Sequence, residues 1–240
     1  MELLEDRVAM ITGGTGALGR AVAEHFLANG GKVAVPWIVE PEVPLFNQRM
    51  ANRFPASSIH LDRVDLGDEG QVAKFVDAVV KKWGKLDILV NLVGGFWGGK
   101  TIAETTLAEW QAMFDLNLKP TFLCCRATVP VMQKNKYGRI VSVSSRTGLL
   151  GAGEFAAYAI AKGTIKTFTA SLAEEVLNDN VLVNAIAPST IDTEANRKAM
   201  PKAKHENWVK PEDIAKTLAY LCSDQNQVTS GVVVPVYGRA

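Results

Sequence analysis

Cysteine is scarce: the 240 residues hold three, two adjacent at Cys124 and Cys125 and the third at Cys222. Neither a disulfide framework nor a spaced metal site can be assembled from that pattern, and a reducing cytoplasm is the compartment it fits. An excess of one charge is also missing, because 26 lysines and arginines face 25 aspartates and glutamates. Without a global field of either sign, the expected partners are small molecules, not nucleic acid or anionic membrane. No uninterrupted apolar run is long enough to span a bilayer, so no membrane association is expected. The opening Met1 to Arg7 lacks the basic-then-apolar order of a secretion signal, and the mature chain is expected to begin where the sequence does.

What the chain does have is 48% hydrophobic residues, enough for one sizeable core at this length. Short apolar runs alternate with segments of helical spacing. Val8 to Ile11 reads as a strand, and Leu18, Val22 and Phe26 then recur on one helix face. The runs Val33 to Val35 and Ile59 to Leu61 flank helical spacing over Leu45 to Phe54. Val72 to Trp83 fits one helix face, and Leu86 to Val90 reads as a buried strand. Helical spacing covers much of Leu107 to Met132, followed by strand Arg139 to Val143, a helix from Ala156 to Leu177 and strand Val181 to Ile186. Such alternation predicts an α/β fold: a single doubly wound, Rossmann-like domain with a parallel β-sheet and helices on both faces. Thr193 to Val209 breaks the rhythm; it is polar, lysine-rich and contains Pro201, and reads as a mobile substrate loop or a solvated surface loop.

The first strand runs into Thr12-Gly13-Gly14-Thr15-Gly16-Ala17-Leu18-Gly19, which holds Gly14-x-Gly16-x-x-Gly19 at the opening of a helix. Glycines let the backbone approach a pyrophosphate, and the free N–H groups and positive end of the helix favour its charge. Nothing at the end of the second strand, Pro36-Trp37-Ile38-Val39-Glu40, chooses between NAD and NADP. Glu40 reads either as a ribose contact or as an exposed loop carboxylate, while Pro36 cannot donate to a ladder and is expected to deform that edge of the pocket.

Tyr158 and Lys162 stand four apart in a helical segment and so share a face; Ser145 follows a strand thirteen residues before Tyr158. A neighbouring ammonium favours a phenolate, which gives such a pair a route to proton transfer. By spacing alone the two residues also read as an aromatic on a core edge and a solvated amine.

Ordered motifs decide between these readings. Thr12-Gly13-x-x-Gly16-x-x-Gly19, Asp65-Leu66, Asn91-Leu92-Val93-Gly94, Asn117, Ser145, Tyr158-x-x-x-Lys162 and Pro188-Ser189-Thr190-Ile191-Asp192-Thr193 succeed one another over nearly the whole chain. In that order they resemble the short-chain dehydrogenase/reductase family. The resemblance implies an NAD(P)-dependent oxidoreductase interconverting a carbonyl and an alcohol, with 3-oxoacyl thioesters one substrate class. It implies that Tyr158 exchanges the proton, Ser145 orients the substrate oxygen, Lys162 lowers the tyrosine pKa and contacts the nicotinamide ribose, and Asn117 supports a relay water. Gly13, Thr15, Gly16, Leu18 and Gly19 would hold the pyrophosphate, Asp65 and Leu66 the adenine, Asn91, Val93 and Gly94 the adenosine side, and Pro188, Ile191 and Thr193 the nicotinamide end. No metal is implied.

Ala17, Leu92-Val93 and Ser189 depart from the family pattern, which leaves a catalytically weak dinucleotide sensor or scaffold as the alternative, and the loops after the fourth and sixth strands are expected to be reshaped. Phe96, Trp97, Phe155 and Trp208 lie in segments that flank a substrate cleft and suggest an apolar or aromatic substrate, with ordinary packing the competing reading. The family assembles as tetramers or dimers through the helices holding Asn117 and Tyr158, so a homo-oligomer is expected, with Phe168 and Leu172 as candidate interface positions.

Overall fold

In the computed structural model, which describes residues 2–239, strand β1 (Val8–Thr12) is buried along its whole length and gives way through the glycine cluster to helix α1 (Ala17–Ala28). The alternation continues through β2 (Lys32–Trp37), α2 (Glu42–Met50), β3 (Ile59–Arg63), α3 (Glu69–Trp83) and β4 (Ile88–Asn91). Helices α4 (Leu107–Asn117) and α5 (Lys119–Asn135) precede β5 (Gly138–Val143). The short α6 (Arg146–Leu150) and long α7 (Ala156–Glu175) lead to β6 (Val181–Pro188), and α8 (Glu194–Ala199), α9 (Pro211–Cys222) and β7 (Val233–Val236) complete the chain.

All seven strands are parallel in the order β3-β2-β1-β4-β5-β6-β7, so the winding reverses between β1 and β4. Val22, Phe26, Ile214 and Leu218 of α1 and α9 cover one face. Phe75 and Val79 of α3, Leu123 and Met132 of α5 and Leu172 of α7 cover the other. The single doubly wound domain expected from the alternation is the fold observed.

Local signals explain the element ends. The Asp68 carboxylate caps α3 by accepting from the Gln71 N–H, and Gly84, at φ +79°, closes it in the left-handed region. Thr106 and Glu109 form a reciprocal capping box at α4. The helical spacing from Leu107 to Met132 is two helices, broken at Leu118. Pro120 is the cause: in the first turn of α5 its missing N–H costs nothing, whereas in an unbroken helix its ring would meet the carbonyl one turn back.

Other expectations are corrected. Strand β2 runs through Pro36 without distortion, pairing it with Asp62 of β3. The β1 ladder has already ended at Ala34, so β2 has become an edge strand at that point, where proline is tolerated. The second helix begins and ends earlier than Leu45 to Phe54 suggested. Residues 193–209 carry α8 and a turn of 3-10 helix, and a parallel bridge between Ile191 and Val209 closes the excursion at its base. Leu172 is buried in the core, and Phe168 packs half-buried against the same core. Phe122 and Ile160, 46% and 45% exposed, are the large apolar side chains α5 and α7 offer to solvent. No helix among the described residues is long and apolar enough to cross a membrane.

Candidate active site

The reversal between β1 and β4 opens a cleft of about 520 Å³ at the carboxyl ends of the strands, where open α/β sheets bind ligands. Gly13, Thr15, Gly16, Leu18 and Gly19 line one wall, Asp65 and Leu66 another, and Val93, Gly94 and Thr193 the remainder. Ten of the residues singled out by motif thus converge from four separate chain segments. The α1 N-terminus carries no side-chain cap, leaving its first N–H groups to the cleft.

Glycine is required here for specific reasons. Gly13 adopts φ +63°. A Cβ on Gly19 would stand 2.1 Å from the Gly13 carbonyl oxygen and 2.4 Å from the Gly14 Cα, both backbone atoms that cannot swing away. Gly19→Ala is therefore expected to weaken dinucleotide binding at least tenfold and to lower Tm by a few degrees, about 1–3 kcal/mol of overpacking. Titration calorimetry and thermal melts check this; unchanged affinity would mean the glycine turn does not shape the site.

Thr12, which the motif reading left unassigned, braces the two switch-point strands. Its hydroxyl accepts from the N–H groups of Leu92 at 3.0 Å and Val93 at 3.3 Å. These bonds anchor the start of the loop after β4, and the Ser189 hydroxyl donates to the Tyr237 carbonyl at 2.7 Å, tying the loop after β6 to the C-terminal segment. Glu42 is a second residue the sequence reading missed. Glu40 is exposed, while Glu42, in the first turn of α2, lines the cleft and accepts from the Thr15 hydroxyl at 2.7 Å. Asn91 does not face the cleft, because its amide donates to Ser142 Oγ at 3.1 Å and lies 3.6 Å from Cys125 Sγ beneath it. Pro188 ends β6 and Ile191 sits in the bridge to Val209; neither lines the cleft.

The remaining four motif residues meet at the other end of the cleft. Tyr158 and Ser145 are hydrogen-bonded to each other, and Ser145 Oγ is held by the Gly148 N–H at 2.8 Å as the cap of α6. Helices α6 and α7 approach closely enough for this because a Cβ on Gly148 would lie 2.8 Å from the Gly163 nitrogen. Lys162 is buried and donates to the Val143 carbonyl at 2.9 Å, while its own carbonyl accepts from the Ser144 hydroxyl at 2.8 Å. Asn117, at the break between α4 and α5, clamps Gly95 in both directions: Oδ1 accepts from its N–H at 3.1 Å and Nδ2 donates to its carbonyl at 3.0 Å. Gly94 joins the two halves. A Cβ there would fall 2.6 Å from Asn117 Oδ1 and 2.7 Å from Lys162 Nζ, so both groups abut the cleft lining.

Burial pushes the Tyr158 phenol above its ordinary value, and the Ser145 hydrogen bond works in the opposite direction. The lowering expected from Lys162 is not expressed in this arrangement, in which the ammonium bonds Val143. Burial instead lowers Lys162 to about 8. At neutral pH the phenol is protonated and the ammonium charged. Lys162 has three N–H donors and spends one on Val143, which leaves a buried cation able to donate further toward Gly94.

Known proteins resemble the chain in sequence and in fold. A family model described as short chain dehydrogenase matches residues 7–204. The chain is 29% identical to a 3-oxoacyl-[acyl-carrier-protein] reductase of Aquifex aeolicus, covering 98% of this chain and 97% of that protein. It is 30% identical to a 3alpha-hydroxysteroid dehydrogenase of Mediterraneibacter gnavus, covering 99% and 98%. Among solved structures, ElxO with NADP bound superposes with a TM-score of 0.90 at 27% identity, over 97% of each chain. The chain belongs to the short-chain dehydrogenase family and is an NAD(P)-dependent oxidoreductase acting on carbonyl and alcohol groups.

Proposed function

We propose that the chain reduces a ketone to an alcohol, with Tyr158 as general acid and Ser145 holding the substrate oxygen. The observation that carries this is the Tyr158–Ser145 hydrogen bond, set one helical turn from a buried Lys162 ammonium that reaches the cleft beside Gly94. A bound reduced nicotinamide supplies the hydride. The cleft fits such a group: its glycine wall would let phosphates come close to the backbone, and Lys162 has donors to spare for a nicotinamide ribose. Gly13, Thr15, Gly16, Leu18 and Gly19 hold the pyrophosphate, Asp65 and Leu66 the adenine end, and Thr193, in one segment with Pro188 and Ile191, the nicotinamide end. Asn91 acts on the adenosine side through the strand end it fixes, and Val93 and Gly94 line it directly. Asn117 positions Gly95 and supports the water that reprotonates the site.

Three carboxylates, Glu42, Asp65 and Asp115, line the cleft, and among the described residues that line it none is a lysine or arginine. A ribose hydroxyl is accepted by such a wall and a 2′-phosphate is repelled. NADH is therefore favoured over NADPH, in contrast to the NADP-bound ElxO. The likeness to 3-oxoacyl reductases supports an oxo-thioester or another ketone as substrate. Phe122 and Ile160 on α5 and α7 support assembly of a homodimer or tetramer through those helices, and residues 193–209 stand where they can move over the nicotinamide end.

The test is a titration with NADH and NADPH followed by cofactor oxidation against a panel of ketones. NADH is expected to bind at least tenfold tighter and to be oxidised by part of the panel. Tighter NADPH would refute the charge argument alone. Binding without turnover would leave a dinucleotide sensor.

A further inference from the structure

The loop after β4 does more than carry Gly94. Two residues beyond Gly94, it lifts Phe96 to the surface, 66% exposed, with its ring centroid 5.1 Å from that of Tyr158 in an edge-on arrangement at 79°. Phe155 stands 5.3 Å from the same ring, tilted by 39°. Trp97 and Tyr158 both pack against the buried cluster of Met113, Ala157 and Ala161. Trp208 does not join this group; it pairs with His205 at 4.4 Å.

The loop is held in this pose. The Gly99 and Lys100 N–H groups both donate to the Glu154 carbonyl, at 2.8 and 3.2 Å, which ties it to the segment before α7. Phe155 lies so close over Gly98 that a Cβ there would stand 2.0 Å from its ring. A phenyl ring held exposed by a fixed backbone, edge-on to the ring of Tyr158 and beside that of Phe155, offers an aromatic surface next to the proposed general acid.

Resting on the reductase reading above, we propose that the substrate is an aryl ketone whose ring packs against Phe96 and Phe155 while its carbonyl oxygen accepts from Tyr158. The ketone carbon gains a hydride and its oxygen gains the Tyr158 proton, so the ketone is reduced to the alcohol as the dinucleotide is oxidised and the phenolate is reprotonated from water. Ring geometry selects the class. A flat aromatic group meets tilted and edge-on ring faces with favourable quadrupole pairing, beyond the area it buries. An alkyl chain covers the same rings without that pairing and loses rotamer freedom on binding.

Acetophenone and 2-octanone, matched in carbon count, test this with NADH as donor. The expected kcat/KM is about three- to tenfold in favour of acetophenone, the size of one aromatic pairing. Phe96→Ala is expected to erase most of that ratio and Phe96→Tyr to keep it, both with the NADH Kd of the parent. Preference for 2-octanone or for a straight-chain 3-oxoacyl thioester overturns the proposal, as does a ratio unmoved by Phe96→Ala. If that variant instead lowers the oligomeric state in sedimentation and leaves the ratio intact, Phe96 serves a second copy of the chain and the proposal fails. No turnover of any ketone by protein shown to bind NADH overturns the reductase reading and this proposal with it.

Discussion

Lys162→Met is expected to make the protein more stable and less active at the same time. Burial lowers the folded pKa of Lys162 to about 8 from an ordinary 10.5. The folded state therefore binds fewer protons at this site than the unfolded chain between those values, and stability rises with pH across that window. Below about pH 8 the cost of the buried ammonium is fully present; above 10.5 it is gone. Methionine keeps the aliphatic stem and removes the charge, so at pH 7 Tm should rise by several degrees, and the advantage should shrink as pH climbs from about 8 to 10.5. Turnover should fall by about 10²-fold or more, the usual loss when one fixed electrostatic donor leaves an active site. Melts across pH 6 to pH 10.5, read beside kcat, check both halves. A lower Tm would mean that the bond to Val143 more than offsets burial, and unchanged turnover would remove Lys162 from the chemistry.

The same lysine shows what was legible in the sequence. Its spacing from Tyr158 is a property of one helix, and so both the pair and the glycine cluster between β1 and α1 were readable from local pattern. Long-range partners were not. The Thr15–Glu42 bond spans 27 positions and the Thr12 bonds to Leu92 and Val93 span 80 and 81, and no periodicity announces them. The sequence reading stopped at Glu40, two residues short of the carboxylate that lines the cleft, because α2 begins earlier than its apolar spacing suggested. Its silence about α9 and β7 has two causes. Pro211 followed by Ile214, Leu218 and Leu221 is a helix signal that was there to be read, whereas β7 is four residues long, half-buried and interrupted by Pro235. Phe168 and Trp208 show the remaining limit: pattern says that a side chain is apolar, and only the fold says which surface it faces.

Tyr158→Phe is the second variant with a large expected effect. It deletes one oxygen, the atom hydrogen-bonded to Ser145, and leaves the ring against Phe96 and the 157–161 cluster in place. A positioned general acid contributes about 10²- to 10⁴-fold, and because Tyr158 is held protonated at neutral pH, its whole contribution is available to the reductive direction. The loss should fall on kcat and leave dinucleotide affinity alone, since Gly13 to Gly19, Asp65 and Lys162 are untouched. The decisive measurement is single-turnover oxidation of bound NADH by a ketone the parent reduces, in parent and Tyr158→Phe protein, with NADH Kd determined on the same samples. Equal Kd and a rate lower by about 10²-fold or more is the result predicted; equal Kd and an equal rate would show that the proton comes from elsewhere.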